Sequence, residues 1–137
     1  MAETRLAASF KSRAASCSSV KREIKVSSGG RGVYDVTPYV MELVKASGAE
    51  RGLVILYSMD PLARLITIEY DADLIEDLLA LIESLKVKNP HVVASIFHPS
   101  LVIPFERGLL LGAFQQICLL DLNDTPGDRI VVAEVIS

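Results

Sequence analysis

The chain carries only two imidazoles, His91 and His98, seven positions apart. His91 follows Pro90 at the head of the apolar run 92–97. A ring nitrogen at the start of an expected strand there can face a cleft and hold a metal, hold a phosphate or pass a proton. A lone imidazole makes a poor zinc site, which needs three or four nitrogen or sulfur ligands, so a strand-end histidine without chemistry is the competing reading. Ser100 places a hydroxyl near His98, a pairing that suggests a nucleophile, but no G-x-S-x-G elbow supports one. Gln115 is polar in a strongly apolar stretch and needs a partner, either a structural hydrogen bond or a ligand. Ser28-Gly29-Gly30-Arg31-Gly32 could wrap a phosphate with its amides and Arg31. It lacks the strand-loop-helix setting and the Lys-Ser or Lys-Thr that make such loops specific, which favours a plain turn.

The elements that must position these groups are readable from periodicity. Residues 20–26 alternate apolar and charged side chains as a half-exposed strand does, and the glycine-rich 27–32 closes it. Thr37 as N-cap and Pro38 at the first helical position predict a helix that ends at Gly48. Residues 52–57 and 65–69 read as two central strands. Asp71 or Asp73 caps a second helix in which Leu74, Ile75, Leu78, Leu79, Leu81, Ile82 and Leu85 form a broad apolar stripe. Beyond Pro90, segments 92–97, 101–104, 109–111, 114–121 and 129–136 predict a β-meander. The fold expected is α+β, a single domain of two helices packed on a large mixed or antiparallel sheet that curls toward a sandwich.

Composition sets the outer bounds. At 137 residues, half of them apolar, the chain fits one core. No apolar run reaches the roughly 18 to 20 residues of a membrane span, so a soluble protein with no membrane partner is expected. Cys17 and Cys118 are far apart, and Cys118 sits in an apolar run, which suits a reducing, cytoplasmic setting without a disulfide. Two asparagines and two glutamines are a depletion that leans toward a heat-adapted source. Residues 1–31 hold seven Lys or Arg against two Glu, leaving seven against fifteen in the remainder. A basic arm on an acidic body makes nucleic acid an unexpected partner for the body. Residues 1–20 read as a basic N-terminal extension, an extra strand or a flexible arm, ahead of a domain at 21–137.

The order and spacing of His91-Val92-Val93-Ala94-Ser95, Pro99-Ser100-Leu101, Pro104, Gly108, Leu111-Gly112-Ala113-Phe114-Gln115 and Arg129-Ile130-Val131-Val132 resemble the YjbQ-like family, the secondary thiamine-phosphate synthase type. Upstream, Asp35-Val36-Thr37-Pro38-Tyr39-Val40 is similar to that family's helix start, and Gly48 with Gly52-Leu53-Val54 to its next strand. The chain departs from the pattern in three places. A family histidine is missing near Asp60, the segment 86–90 replaces a longer loop with a His-Asp pair, and Phe114 stands for a tryptophan.

The resemblance implies a homotrimer, and an enzyme that joins an aminopyrimidine diphosphate to a thiazole phosphate. His91 and Glu69 would be its catalytic pair. Gln115, Ser100 and Arg107 match or neighbour family positions and are candidate ligand-binding residues, with Arg31 and Arg64 as further charge partners. A divalent metal, zinc or magnesium, would sit at His91, with Asp60 as a weaker oxygen ligand that favours magnesium. Two of the family's three histidines are lost, so the alternative is a non-catalytic homotrimer that binds a small phosphorylated ligand or serves as a scaffold, its arm touching an acidic partner such as RNA.

Overall fold

The computed structural model describes residues 17–137. In chain order the elements are β1 (Ser19–Ser28), β2 (Gly32–Asp35), α1 (Thr37–Ser47), β3 (Arg51–Ser58), β4 (Ala63–Ile68), α2 (Ala72–Ser84), α3 (Pro90–Ser95), β5 (Ser100–Glu106), β6 (Gln116–Asp121) and β7 (Gly127–Ile136). All strand pairings are antiparallel, and they make two sheets: four strands in the order β1-β7-β3-β5 and three in the order β2-β6-β4.

Alternation decides which side chains each sheet buries. Ile24 and Val26 of β1, Val54 and Leu56 of β3, Ile103 and Phe105 of β5, and Val131, Ala133 and Val135 of β7 point inward against Ala63, Leu65, Ile117 and Leu119 of the smaller sheet. Helix α1 adds Val36, Val40, Leu43 and Val44 to this core. The other face of the small sheet carries Val33, Cys118 and Leu120, which α2 and α3 cover with Ile82, Val93 and Ala94. The body is therefore three layers, large sheet, small sheet and helices, and the outer face of the large sheet has no helix over it.

The α+β class stands, with several differences from expectation. One large sheet is two, because β5 pairs with β3 and β6 with β2 and β4, so consecutive C-terminal strands alternate between sheets and no meander forms. The segment expected as strand 92–97 is the third helix, α3: Asn89 caps it through the His91 amide at 3.0 Å and Pro90 fills its first turn. Residues 109–111 make only a bridge from Leu109 to Phe105. Asp71 caps α2 through the amides of Asp73 and Leu74, as read. Thr37 does not cap α1; Val36 holds that position, and the Thr37 hydroxyl is spent on the backbone of Ile117. Most of the 1–20 extension lies outside the described residues, and β1 begins within its last two.

Gly52 lies where β3 passes the end of β7, and a Cβ there would run into the Ile136 carbonyl oxygen. Gly52→Ala is expected to destabilise the protein by roughly 1–3 kcal/mol in urea unfolding, as strain at a close backbone approach does.

Candidate functional site

Four connections gather at one end of the sandwich: the turn after β1, the loop from β3 to β4, the segment from α2 to α3, and the loop from β6 to β7. They surround a buried charge. Asp121, the last residue of β6, has no solvent exposure and faces the gap between the sheets. Arg129 of β7, itself buried, reaches it with Nε at 2.8 Å. Ser28 of β1 donates its hydroxyl to the same Oδ2, and Asn123 donates its backbone amide at 3.0 Å and its side-chain amide at 2.7 Å to Oδ1. Burial alone would push the Asp121 carboxyl up, but the donors from Ser28, Asn123 and Arg129 outweigh it and hold the group below the usual carboxylate range.

The network extends into the loops. Arg129 also donates to the Thr125 carbonyl, and Asn123 Nδ2 reaches Asp60 Oδ1 at 3.1 Å. Asp60 Oδ1 accepts the Leu62 amide at 2.8 Å as well. The glycine turn is equally committed: Gly29 N donates to the Tyr34 hydroxyl, Gly30 N to Ser28 Oγ, and the Tyr34 hydroxyl to the Gly30 carbonyl. The Gly29 and Gly30 amides thus serve the turn itself.

Beside this network opens a cleft of about 160 Å³ whose cations are Arg31, Lys86 and Lys88, with Pro90, Val93 and Leu122 as apolar wall. Arg31 forms an ion pair with Glu83 at 2.8 Å, and Asp124 is the second acid on the rim. Lys86 turns the chain with a φ of 52°, which brings α3 in within a few residues of α2. The short segment 86–90 is thus what gives this cleft two of its three cations.

The expected site residues do not gather at one place, although Glu69 and Gln115 flank the paired Ile68 and Gln116. His91 adjoins the cleft through Pro90, on α3, with its side chain exposed. Glu69 is exposed just past Ile68, which pairs with Gln116 at the opposite end of the small sheet from Asp121. Five strand steps of about 3.3 Å separate those ends, roughly 16 Å. Ser100 starts β5 on the outer face of the large sheet, opposite Tyr57. Arg107, with a φ of 54°, lies in the turn after β5 and borders a groove of about 600 Å³ with Met41, Val44 and Leu109. Arg64 donates through one terminal nitrogen to Pro61 O at 2.6 Å, and its buried Nε has no partner.

Gln115 is exposed, and the glutamine with partners is its neighbour. Gln116 accepts from the Tyr70 amide and donates to Asp35, both at 2.9 Å. A metal finds no set of ligands: among the described residues no three His, Cys, Asp or Glu side chains gather, and Asp60 Oδ1 already has two donors. The residues the sequence did not single out are Ser28 as a donor to a carboxylate, Asp121, Asn123 and the two lysines. Arg129 was visible within a motif, but its acid partner eight positions earlier read only as the end of a strand.

Fold and motifs agree on a class. A small α+β sandwich with these C-terminal motifs belongs to the UPF0047 YjbQ-like family, whose model matches residues 22–137. Solved structures share the fold. A YbjQ-like protein of unknown function from Sulfolobus solfataricus P2 is similar with a TM-score of 0.82 at 21% identity, over 88% of this chain and 99% of that one. A hypothetical protein from Aeropyrum pernix K1 is similar at 0.78 and 27% identity, over 85% and 97%. An uncharacterised conserved protein of the same family from Clostridium acetobutylicum is similar at 0.73 and 26%, over 85% and 98%. No curated protein matches the chain. Among the described residues no helix is long and apolar enough to cross a membrane.

Two outcomes follow from the buried groups. Removing one partner of a buried pair costs roughly 3–5 kcal/mol, so Asp121→Asn is expected to unfold at clearly lower urea near neutral pH. Because the folded carboxyl titrates below its unfolded value of about 3.9, the wild-type advantage is complete above that value. It is expected to shrink as the pH falls through the folded value. Burial, with Asp35 nearby, pushes the Cys118 thiol up to about 12. A thiol reagent is therefore expected to find exposed Cys17 in the native protein, and Cys118 only after unfolding.

Proposed function

We propose that this protein is a non-catalytic, self-associating member of its family, a homotrimer joined through the outer face of the four-stranded sheet, which holds a small phosphorylated ligand in the Arg31–Lys86–Lys88 cleft. The observation that carries the reading is the uncovered sheet face. Leu53 and Tyr57 of β3 and Val102 of β5 are 41%, 49% and 56% exposed, and Val132 and Ile136 of β7 lie beside them in register. Glu134 of β7 interrupts the patch opposite Ile55, and an otherwise apolar sheet face that no helix covers marks an interaction surface. A second copy supplies a matching face, and the family resemblance suggests three copies.

The chemistry of the cleft supports the ligand. Two ammonium groups and a guanidinium suit a phosphate, and the apolar wall suits a small organic body attached to it. The transferase reading, thiamine-phosphate formation through His91 and Glu69, would need those two groups around one reacting centre, and both side chains are exposed on different elements, His91 on α3 and Glu69 just past β4. No metal is assigned, because the residues that would hold zinc or magnesium do not fit one. A cytoplasmic setting is supported by two unpaired cysteines. A scaffold role for the arm stays secondary, since most of that segment lies outside the described residues.

Sedimentation velocity tests the assembly. Wild-type protein is expected to contain a threefold unit that Val102→Glu abolishes without unfolding the chain, and a wild type with no threefold unit contradicts it. Calorimetry with inorganic phosphate tests the cleft: replacing Lys86 and Lys88 together by Ala is expected to weaken binding at least about tenfold, and an unchanged affinity contradicts the assignment.

A further inference from the structure

On the side of the body opposite the bare sheet face, helix α2 leaves a second apolar surface. Leu74, Leu78, Leu81 and Leu85 recur at spacings of four, three and four, the seam spacing of paired helices. Ile82 of α2 is buried against the small sheet, whereas Leu74, Leu81 and Leu85 are 40%, 61% and 43% exposed. Val92 and Ile96 of α3 extend the same exposed surface at 52% and 62%. Neither core cluster uses the outward leucines: Leu78 touches the helix-side core, and Leu74, Leu81 and Leu85 belong to neither.

Charge along α2 is polarised. Asp71, Asp73, Glu76 and Asp77 occupy its first half, and Lys86 and Lys88 follow its last turn. Glu83, the acid of the second half, is already paired with Arg31. The helix thus has an acidic end, a leucine seam and a basic end.

We infer that this face is the seat of a second copy of the same chain, joined by antiparallel α2–α2 pairing about a two-fold axis. With the axis midway between Leu78 and Leu81, Leu74 of one copy meets Leu85 of the other and Leu78 meets Leu81. The same axis brings the Asp71–Asp73 end of each helix to the Lys86–Lys88 end of its partner, so the contact and the cationic cleft share these lysines. Parallel pairing would set acid against acid, so the charge pattern fixes the orientation as well as the occupant. A two-fold contact of this kind is self-complementary and closes at two copies. From Leu74 to Leu85 the seam is about 16 Å long, at 1.5 Å per residue.

This contact is independent of the threefold sheet face, which lies on the other side of the three-layer body. With both contacts present, threefold units are joined to one another through α2; with this one alone, two copies assemble.

Native mass spectrometry of the full chain separates the possibilities. Leu81→Glu, at an exposed position, is expected to leave only threefold units, whereas Val102→Glu is expected to leave pairs. Asp73→Lys and Lys86→Asp are each expected to raise the dissociation constant of the pair at least tenfold, and the double exchange to restore most of it, a rescue that simple damage to the helix would not produce. A wild type without an even number of copies, a Leu81→Glu protein that keeps its pairs, or single charge variants that the double exchange does not rescue would each overturn the inference. The same holds if the face is covered instead by another protein or by residues 1–16, since pairing then does not depend on both Asp73 and Lys86.

Discussion

A carboxylate sealed between two β-sheets costs several kcal/mol in lost hydration unless donors replace the water. One end of this protein is organised around replacing it at Asp121. Its donors come from three places at that end: Ser28 from β1, Arg129 from β7, Asn123 from the loop that follows β6. Because Asp121 belongs to the small sheet and Ser28 and Arg129 to the large one, the cluster fixes how closely the sheets approach there, a job that apolar side chains do along the rest of the core. Unlike apolar contacts, it also fixes register, since a shift of β6 by one residue would turn Asp121 to the other face.

The loops inherit that order. Asn123 holds Asp60, Arg129 holds Thr125, and the β1–β2 turn is tied back through Ser28 and Tyr34. Asp124 and Arg31, on the rim of the cationic cleft, sit beside residues of this network, so the cleft has a rigid side. Its other side is the turn from α2 to α3, where the lysines are exposed. A small cleft with one fixed wall and charged groups on the other suits holding an anion more than arranging a reaction. The two outer apolar faces point the same way: in a three-layer body only the middle sheet is covered on both sides, and the surplus is available to other copies of the chain.

Much of the fold was legible from local pattern. Alternation placed β1 and β4, a continuous apolar run placed β3, the 3.6 period with an Asp cap placed α2, and Gly48 ended α1 with a φ of 72°. What local pattern could not show was partnership. A short apolar run such as 92–97 fits a strand or a helix, and only the Asn89-Pro90 start, a cap followed by a first-turn proline, distinguished them. Strands β5 and β6 look like neighbours in sequence, yet they fall into different sheets because pairing is decided by distant residues. The site was less legible for the same reason. His91, Glu69, Ser100 and Gln115 each had a motif to recommend it, yet only Glu69 and Gln115 fall at the same end of one sheet. Asp121 and Arg129, which meet, are ordinary as residue types until the two sheets close over them.

The most direct test of this arrangement is an NMR titration of the Asp121 side-chain carboxyl, with the Asn123 and Gly30 amides followed as reporters. The account predicts that Asp121 titrates below the ordinary aspartate range, near or under the onset of acid unfolding, and that the Asn123 amide moves with it. An Asp121 that titrates at or above the ordinary value, with the Asn123 amide unaffected, would contradict it, because the donors would then not be compensating the buried charge that holds the two sheets and their loops in place.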